Sequence, residues 1–290
     1  MWLAAAALVM STWWPHLAEA AASAAAKAGM SETAQVSEIT PRFPSTAAPG
    51  PAPVWGYEVV RCLPHDKEAF TQGLLIRDGV LYESTGLNGS STVRKVRLDT
   101  GEVLQRYDVG RRYFAEGLAE RNGELIQLTW ETEVAFVYDL KTLKRKREFK
   151  YKGEGWGLTW DGRRFILSDG TPALRFMDGQ TFKEIGRVPV TENGRPVEHL
   201  NELEMVDGLV LGNVWLTDRI AVIDPATGNV TAWLDLAGLM PPMGDSPNAV
   251  LNGIAWDGST RHLYVTGKLW PTLFEIRPVP PGATPAKRAC

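Results

Sequence analysis

Residues 74–82 read Leu-Leu-Ile-Arg-Asp-Gly-Val-Leu-Tyr, with Asp78 and Gly79 between two short apolar runs. An Asx-Gly pair in this setting favours a two-residue hairpin turn, because both residues tolerate a positive φ. The pair recurs at intervals of 44, 39, 46 and 50 residues, as Asn122-Gly123, Asp161-Gly162, Asp207-Gly208 and Asp257-Gly258. The chain is therefore expected to repeat one structural unit five times.

A second turn marker follows each of the first four Asx-Gly pairs. Asp139, Asp178 and Asp224 each lie 16 residues after the preceding turn glycine, and Asp99 lies 20 residues after Gly79. Short apolar runs rich in β-branched and aromatic residues separate the two kinds of marker. Each period is therefore predicted to contain four antiparallel strands.

Five units of four strands predict an all-β chain folded as a five-bladed β-propeller. The fifth unit, residues 250–276, has only three strands before a proline-rich end. Residues 57–62 precede the first unit and have the composition of a strand, so this N-terminal strand is expected to close the last blade. Cys62 is then expected to be a small buried residue.

The ends of the chain differ in composition from its centre. Residues 1–20 resemble a signal peptide, with Ala18-Glu19-Ala20 as a cleavage site, although no Lys or Arg precedes Lys27. Residues 21–54 are predicted to be a disordered linker, 55–278 the propeller catalytic domain and 279–290 a disordered tail. We expect a periplasmic or secreted protein with no membrane span after signal removal. The alternative is a disordered extension on a cytosolic protein.

Charge and composition exclude several classes of function. The 31 basic and 34 acidic residues are interleaved and give a net charge of −3, so nucleic acid is not expected as a partner. Two cysteines and four histidines, without an i, i+4 histidine pair, disfavour a zinc site. We expect no metal, no cofactor and a monomer.

The repeat also predicts where polar chemistry is concentrated. Seven residues before the turn glycine of their own units lie Gln72, Glu116 and Asn201. Six residues before the turn glycine of the other two units lie Trp156 and Asn252. The first strand of every propeller blade lines the central axis, so these side chains should converge near one mouth of the channel.

Further candidates lie on the second strands. Counting forward seven residues gives Trp130 and Trp215, and Lys268 lies near the end of the equivalent strand in the fifth unit. Glu83 and Glu202 are weaker candidates, since strand alternation should point Glu202 away from the face that carries Asn201.

Nine segments together resemble the plant-type glutaminyl cyclase family, over residues 57–276. They are FTQGL (70–74), YESTG (82–86), FAEGL (114–118), LTW (128–130), GWGL (155–158), LNELE (200–204), NVW (213–215), LNGI (251–254) and TGKLWP (266–271). The resemblance implies a five-bladed propeller that is a glutaminyl-peptide cyclotransferase. It also implies that Glu116 is the catalytic acid/base, assisted by Lys268, and that the substrate pocket is lined by Phe70, Gln72, Trp130, Trp156, Asn201 and Trp215.

Cyclisation of an N-terminal glutamine needs one group that moves a proton from the α-amine to the leaving amide nitrogen. It also needs fixed donors to the tetrahedral oxyanion, which Gln72, Asn201, an indole N–H or Lys268 could supply. The expected partners are peptides or proteins with an N-terminal Gln. Two alternatives remain open: a metal-dependent, lactonase-like propeller hydrolase, and a non-enzymatic propeller that binds peptides or sugars.

Overall fold

The computed structural model describes residues 41–243 and 246–283, which form 22 strands and no helix. The predicted signal peptide, residues 21–40 of the predicted linker and residues 284–290 of the predicted tail lie outside the described residues. Within the described ranges, no helix has the length and apolar character needed to cross a membrane.

Three separate four-stranded antiparallel sheets account for the middle of the chain. The first contains β2 (Thr71–Arg77), β3 (Val80–Thr85), β4 (Thr92–Arg97) and β5 (Val103–Asp108). The second contains β6 (Ala115–Arg121), β7 (Glu124–Thr129), β8 (Val134–Asp139) and β9 (Arg145–Lys150). The third contains β10 (Leu158–Trp160), β11 (Arg164–Leu167), β12 (Ala173–Asp178) and β13 (Glu184–Pro189).

The remaining long strands form one eight-stranded sheet in the order β16-β17-β18-β19-β1-β22-β21-β20. Its members are β1 (Val54–Pro64), β16 (Leu200–Val206), β17 (Leu209–Val214), β18 (Arg219–Ile223), β19 (Val230–Asp235), β20 (Leu251–Asp257), β21 (His262–Gly267) and β22 (Thr272–Val279). A small hairpin of β14 (Thr191–Glu192) and β15 (Arg195–Pro196) lies between β13 and β16.

The expected N-terminal closing strand is confirmed and is longer than predicted. β1 pairs antiparallel with β22 from Gly56↔Val279 to Pro64↔Thr272, so it completes a four-strand group with β20, β21 and β22. At its start β1 also pairs parallel with β19, through Val54↔Trp233 and Trp55↔Leu234. This second pairing joins two four-strand groups into the eight-stranded sheet.

Two details near β1 differ from the sequence predictions. Cys62 is exposed and disulfide-bonded, so the prediction of a small buried residue is wrong. Phe43, within the predicted disordered linker, is buried, and its ring centroid lies 4.8 Å from that of Trp55. The linker prediction is therefore wrong for Phe43, because apolar burial against β1 holds its side chain in the core.

The first strands of the five four-strand groups are β2, β6, β10, β16 and β20. They contact one another in a closed cycle, from β2 to β6, β10, β16 and β20 and back to β2. Each of five apolar clusters lies between two neighbouring groups, as Phe136 and Tyr82 do between the first two sheets. Burial between groups therefore holds the cycle together.

Three Asx-Gly pairs form the tight hairpins that the sequence predicts. At Asp78-Gly79, Asn122-Gly123 and Asp207-Gly208, both residues have positive φ, and the flanking residues pair directly. The turns after Trp160 and Asp257 are longer, spanning residues 161–163 and 258–261. The prediction of two-residue turns is wrong there, although both segments still reverse the chain between paired strands.

Candidate functional site

Irregularities in four first strands coincide with the polar positions that the repeat singled out. The pairing register shifts between Thr71 and Gly73, Ala115 and Leu118, Leu200 and Leu203, and Leu251 and Ile254. A bulge breaks strand alternation and redirects a side chain. The residues inside these shifts include Gln72, Glu116, Asn201 and Asn252.

All eight predicted site residues line one cavity of about 460 Å³. The cavity wall also includes residues that the sequence analysis did not identify as site residues. The predicted members are Phe70, Gln72, Glu116, Trp130, Trp156, Asn201, Trp215 and Lys268, and the added ones are Phe114, Glu154, Leu216, Pro247, Asn248 and Val250.

The lining residues differ in exposure, and this difference defines a floor and a rim. Glu116, Gln72, Asn201 and Lys268 are buried and form the floor. Trp130 is 37% exposed and Leu216 64% exposed, and Glu154, Pro247 and Asn248 are also exposed, so these five residues form the rim. A ligand entering from solvent therefore meets apolar and acidic groups first and the polar floor last.

Glu116 is held by a chain of side-chain amides. Gln72 Nε2 donates to Glu116 Oε1 over 3.1 Å, and Asn252 Nδ2 donates to Gln72 Oε1 over 3.3 Å and to the Thr71 carbonyl oxygen over 2.9 Å. Asn252 is fully buried and does not line the cavity, so the prediction that it joins the mouth is wrong. It lies behind Gln72 and orients it.

Burial dominates the electrostatics of the floor. It raises the pKa of Glu116 well above the usual value, against the opposing charge of Lys268 and with a smaller contribution from Glu154 in the same direction. Burial also lowers the pKa of Lys268, opposed by Glu116. The Lys268 ammonium lies 4.8 Å from the centroid of the Phe70 ring. Both groups are therefore shifted toward their neutral forms.

Glu154 binds two of the predicted tryptophans. Its Oε2 accepts the indole N–H of Trp130 over 2.7 Å and that of Trp156 over 2.8 Å. These two indoles are therefore not free to donate to an oxyanion. Trp215 packs edge-on against Trp156, with ring centroids 5.8 Å apart.

The two weaker candidates lie outside the cavity wall. Glu83 is buried and bonded to His65, Thr71 and Arg94. Glu202 is also buried, and it accepts backbone N–H groups of Leu74 and Ile254 from two other first strands. Glu202 does not line the cavity that Asn201 lines, as the argument from alternation predicts.

The repeat could have identified one of the missed cavity residues, but not all of them. Phe114 precedes Glu116 by the same two positions that separate Phe70 from Gln72, so the repeat could have identified it. Pro247 and Asn248 lie between β19 and β20, where no periodic pattern occurs. Within residues 41–243 and 246–283, no three His, Cys, Asp or Glu side chains are grouped as metal ligands.

Comparison with known proteins gives a consistent result. The family model described as glutamine cyclotransferase matches residues 22–278, so similarity begins earlier than residue 57, where the resemblance found in the sequence analysis starts. The glutaminyl-peptide cyclotransferase of Arabidopsis thaliana is 46% identical over 227 residues, covering 76% of this chain and 70% of the relative. The crystal structure of Myxococcus xanthus glutaminyl cyclase superposes with a TM-score of 0.75 at 37% identity, covering 79% of this chain and 99% of that one.

Proposed function

This chain belongs to the glutamine cyclotransferase family, and from that premise we propose that its cavity converts the N-terminal glutamine of peptides and proteins to pyroglutamate. The chain is accordingly an acyltransferase that acts within one substrate molecule. The observation that carries the proposal is the buried carboxyl of Glu116 on the cavity floor, bonded to Gln72 and close enough to Lys268 for their charges to interact.

In the first step, the neutral α-amine of the substrate attacks the γ-carboxamide carbon. A C–N bond forms, and the carbonyl π electrons move to oxygen to give a tetrahedral oxyanion. The ammonium proton of the attacking nitrogen passes to Glu116 and from there to the amide nitrogen. Collapse of the intermediate breaks the bond between the carboxamide carbon and its original nitrogen, which leaves as ammonia. A carboxyl with a raised pKa suits this transfer, because it can hold the proton near neutral pH.

The oxyanion needs donors that are fixed before the reaction. Asn201 and Lys268 lie on the floor, and their side chains carry an amide N–H₂ group and an ammonium group that can donate. Gln72 Nε2 is already bonded to Glu116. We therefore assign the oxyanion to Asn201 and Lys268, with Gln72 as the residue that orients Glu116.

The aromatic walls perform a different task. Phe70, Trp130, Trp156 and Trp215 can confine the short glutamine side chain in a folded shape that brings amine and amide together. They also exclude water, which would otherwise compete with the amine as a nucleophile.

We infer that the five four-strand groups are the blades of a five-bladed β-propeller. The cyclic contacts of the first strands and the apolar clusters between neighbouring groups support this architecture. Export to the periplasm or the medium, removal of residues 1–20 and a monomeric state are proposed on the sequence alone.

The experiment is incubation of the purified protein with a Gln-initiated peptide and, separately, with the same peptide beginning with Asn. Release of ammonia with the matching loss of peptide mass from the Gln peptide supports the proposal. Tight binding without either change would favour a peptide-binding propeller. Hydrolysis of lactones that stops on chelation would favour the hydrolase alternative.

A further inference from the structure

Glu154 occupies an unusual position at the cavity rim. It lies in the connection between β9 and β10, with Gly153 and Gly155 on either side. One carboxylate oxygen, Oε2, accepts both indole N–H groups. The other, Oε1, has no hydrogen-bond partner among the described residues. The side chain is exposed and lines the cavity, so this oxygen is accessible to a ligand.

No cation within the described part of the chain forms an ion pair with Glu154. Arg175 contacts the backbone of Glu154, since its Nη1 donates to the Glu154 carbonyl oxygen over 3.4 Å. Its Nε bonds Glu184 Oε2 over 2.9 Å, and its Nη2 bonds the Lys152 carbonyl oxygen over 2.7 Å. The guanidinium is thus held by other groups and does not pair with the Glu154 carboxylate.

Glu116 is buried at the bottom of the cavity and Glu154 is exposed at its rim, so the two residues should contact different parts of a bound peptide. Glu116 must meet the α-amine and the γ-amide of the first residue, so both lie on the buried floor. The peptide should then continue toward solvent, so that the second residue passes the rim, on which Glu154 is the acidic side chain.

We propose that Glu154 makes the enzyme selective for the residue after the N-terminal glutamine, favouring a cationic second residue over an acidic one. The proposal rests on the proposed function. Trp130 and Leu216 give an uncharged side chain an apolar surface to contact. An acidic side chain at the same place would lie beside the Glu154 carboxylate and be repelled.

Glu154 could instead act only by fixing the two indoles. The isosteric change Glu154→Gln separates the two roles, because a glutamine side-chain oxygen can still accept both indole N–H groups while the charge is lost. Glu154→Ala removes both the charge and the acceptor. Glu131 offers a matched control, since it is exposed, follows Trp130 directly and does not line the cavity.

The experiment measures kcat/KM for amidated Gln-Lys, Gln-Ala and Gln-Glu peptides of otherwise identical sequence. For the parent enzyme we expect Gln-Lys to exceed Gln-Glu by on the order of tenfold at low salt, and by less at high salt. Glu154→Gln should reduce this ratio to within about twofold. Glu131→Gln should leave the parental ratio in place. Glu154→Ala should lower kcat/KM for all three peptides, since both indoles lose their acceptor.

A parental preference for Lys that survives in Glu154→Gln would overturn the inference, and so would equal rates for the three peptides with the parent enzyme. Both results leave cyclase activity intact. Absence of ammonia from every Gln peptide, with the protein folded, would instead refute the proposed function. The two failures are therefore distinguishable.

Discussion

Nδ1 of His65 lies 2.6 Å from the carbonyl oxygen of Trp270, two residues after Lys268. Its Nε2 lies 3.0 Å from Glu83 Oε1, so both ring nitrogens face acceptors and both must carry protons. Burial opposes this charge, but the Glu83 carboxylate raises the pKa of His65. The turn that carries Lys268 is therefore tied to a buried ion pair outside the cavity.

Replacing Glu83 with Gln should destabilise the fold by about 3 to 5 kcal/mol, because buried His65 loses its carboxylate partner and buried Arg94 loses one of two, retaining Asp66. Arg94 Nε donates to Glu83 Oε2 over 2.9 Å, and Arg94 and His65 together outweigh burial and lower the pKa of Glu83 to about 2. Urea denaturation at neutral pH measures the loss. A change below about 0.5 kcal/mol would contradict the view that this pair supports the fold.

Replacing Glu116 with Gln should lower kcat by about 10² to 10⁴ with KM little changed, because it removes the transferable proton but keeps an acceptor for Gln72. Lys268→Met and Trp130→Phe should each cost no more than about 10² to 10³. Steady-state kinetics with one Gln peptide compares all three. If Glu116→Gln instead raises KM at unchanged kcat, the carboxylate only holds the substrate ammonium.

The stability of the protein should fall as the pH rises from about 4.5 to about 8, in part through Glu204. Burial, partly offset by the Trp256 backbone N–H, raises the pKa of Glu204 from 4.5 to about 8. The folded state retains a proton that the unfolded chain releases, so stability is lost over this range at up to about 1.4 kcal/mol per pH unit. Glu204 lines a second cavity of about 190 Å³, apart from the proposed active site.

Glu204→Gln should flatten this part of the stability profile, because the variant side chain does not titrate. Denaturation midpoints between pH 5 and pH 9 provide the measurement. A profile with the parental slope would assign the pH dependence to other groups.

Truncation from the N-terminus should show graded effects. A chain beginning at residue 41 should retain the parental stability, whereas one beginning at residue 54 loses the Phe43 contact and should lose about 2 kcal/mol. A chain beginning at residue 65 lacks β1 and should not fold. Its strand β22 would have an unpaired edge, and the apolar residues that pack against β1 would be exposed to solvent. Equal denaturation midpoints for the three would refute closure by β1.

Activity should persist in excess EDTA, because the proposed proton transfer and oxyanion binding use only side chains of this chain. The assay compares ammonia release before and after prolonged chelation and dialysis. Loss of turnover that one added metal restores would favour the lactonase-like alternative.

The family resemblance alone supplied Phe70. From the residues themselves, the sequence determined the repeated unit, the closing strand and the other seven predicted cavity residues. These follow from local rules: Asx-Gly pairs mark turns, and a fixed count from each turn reaches Gln72, Glu116 and Asn201. Such counts hold because each four-strand group repeats one hairpin geometry. They could also have included Phe114, which shares the spacing of Phe70.

Only the tertiary structure decided the rest. Glu154 precedes Trp156 by the two positions that separate Phe70 from Gln72, but the repeat does not predict that its carboxylate accepts the indole N–H groups of both Trp130 and Trp156. The carboxylate of Glu202 accepts backbone N–H groups from two other first strands, β2 and β20. Apart from the Glu154–Trp156 contact, these hydrogen bonds join residues 24 to 128 positions apart, so they depend on how neighbouring groups pack rather than on any local pattern.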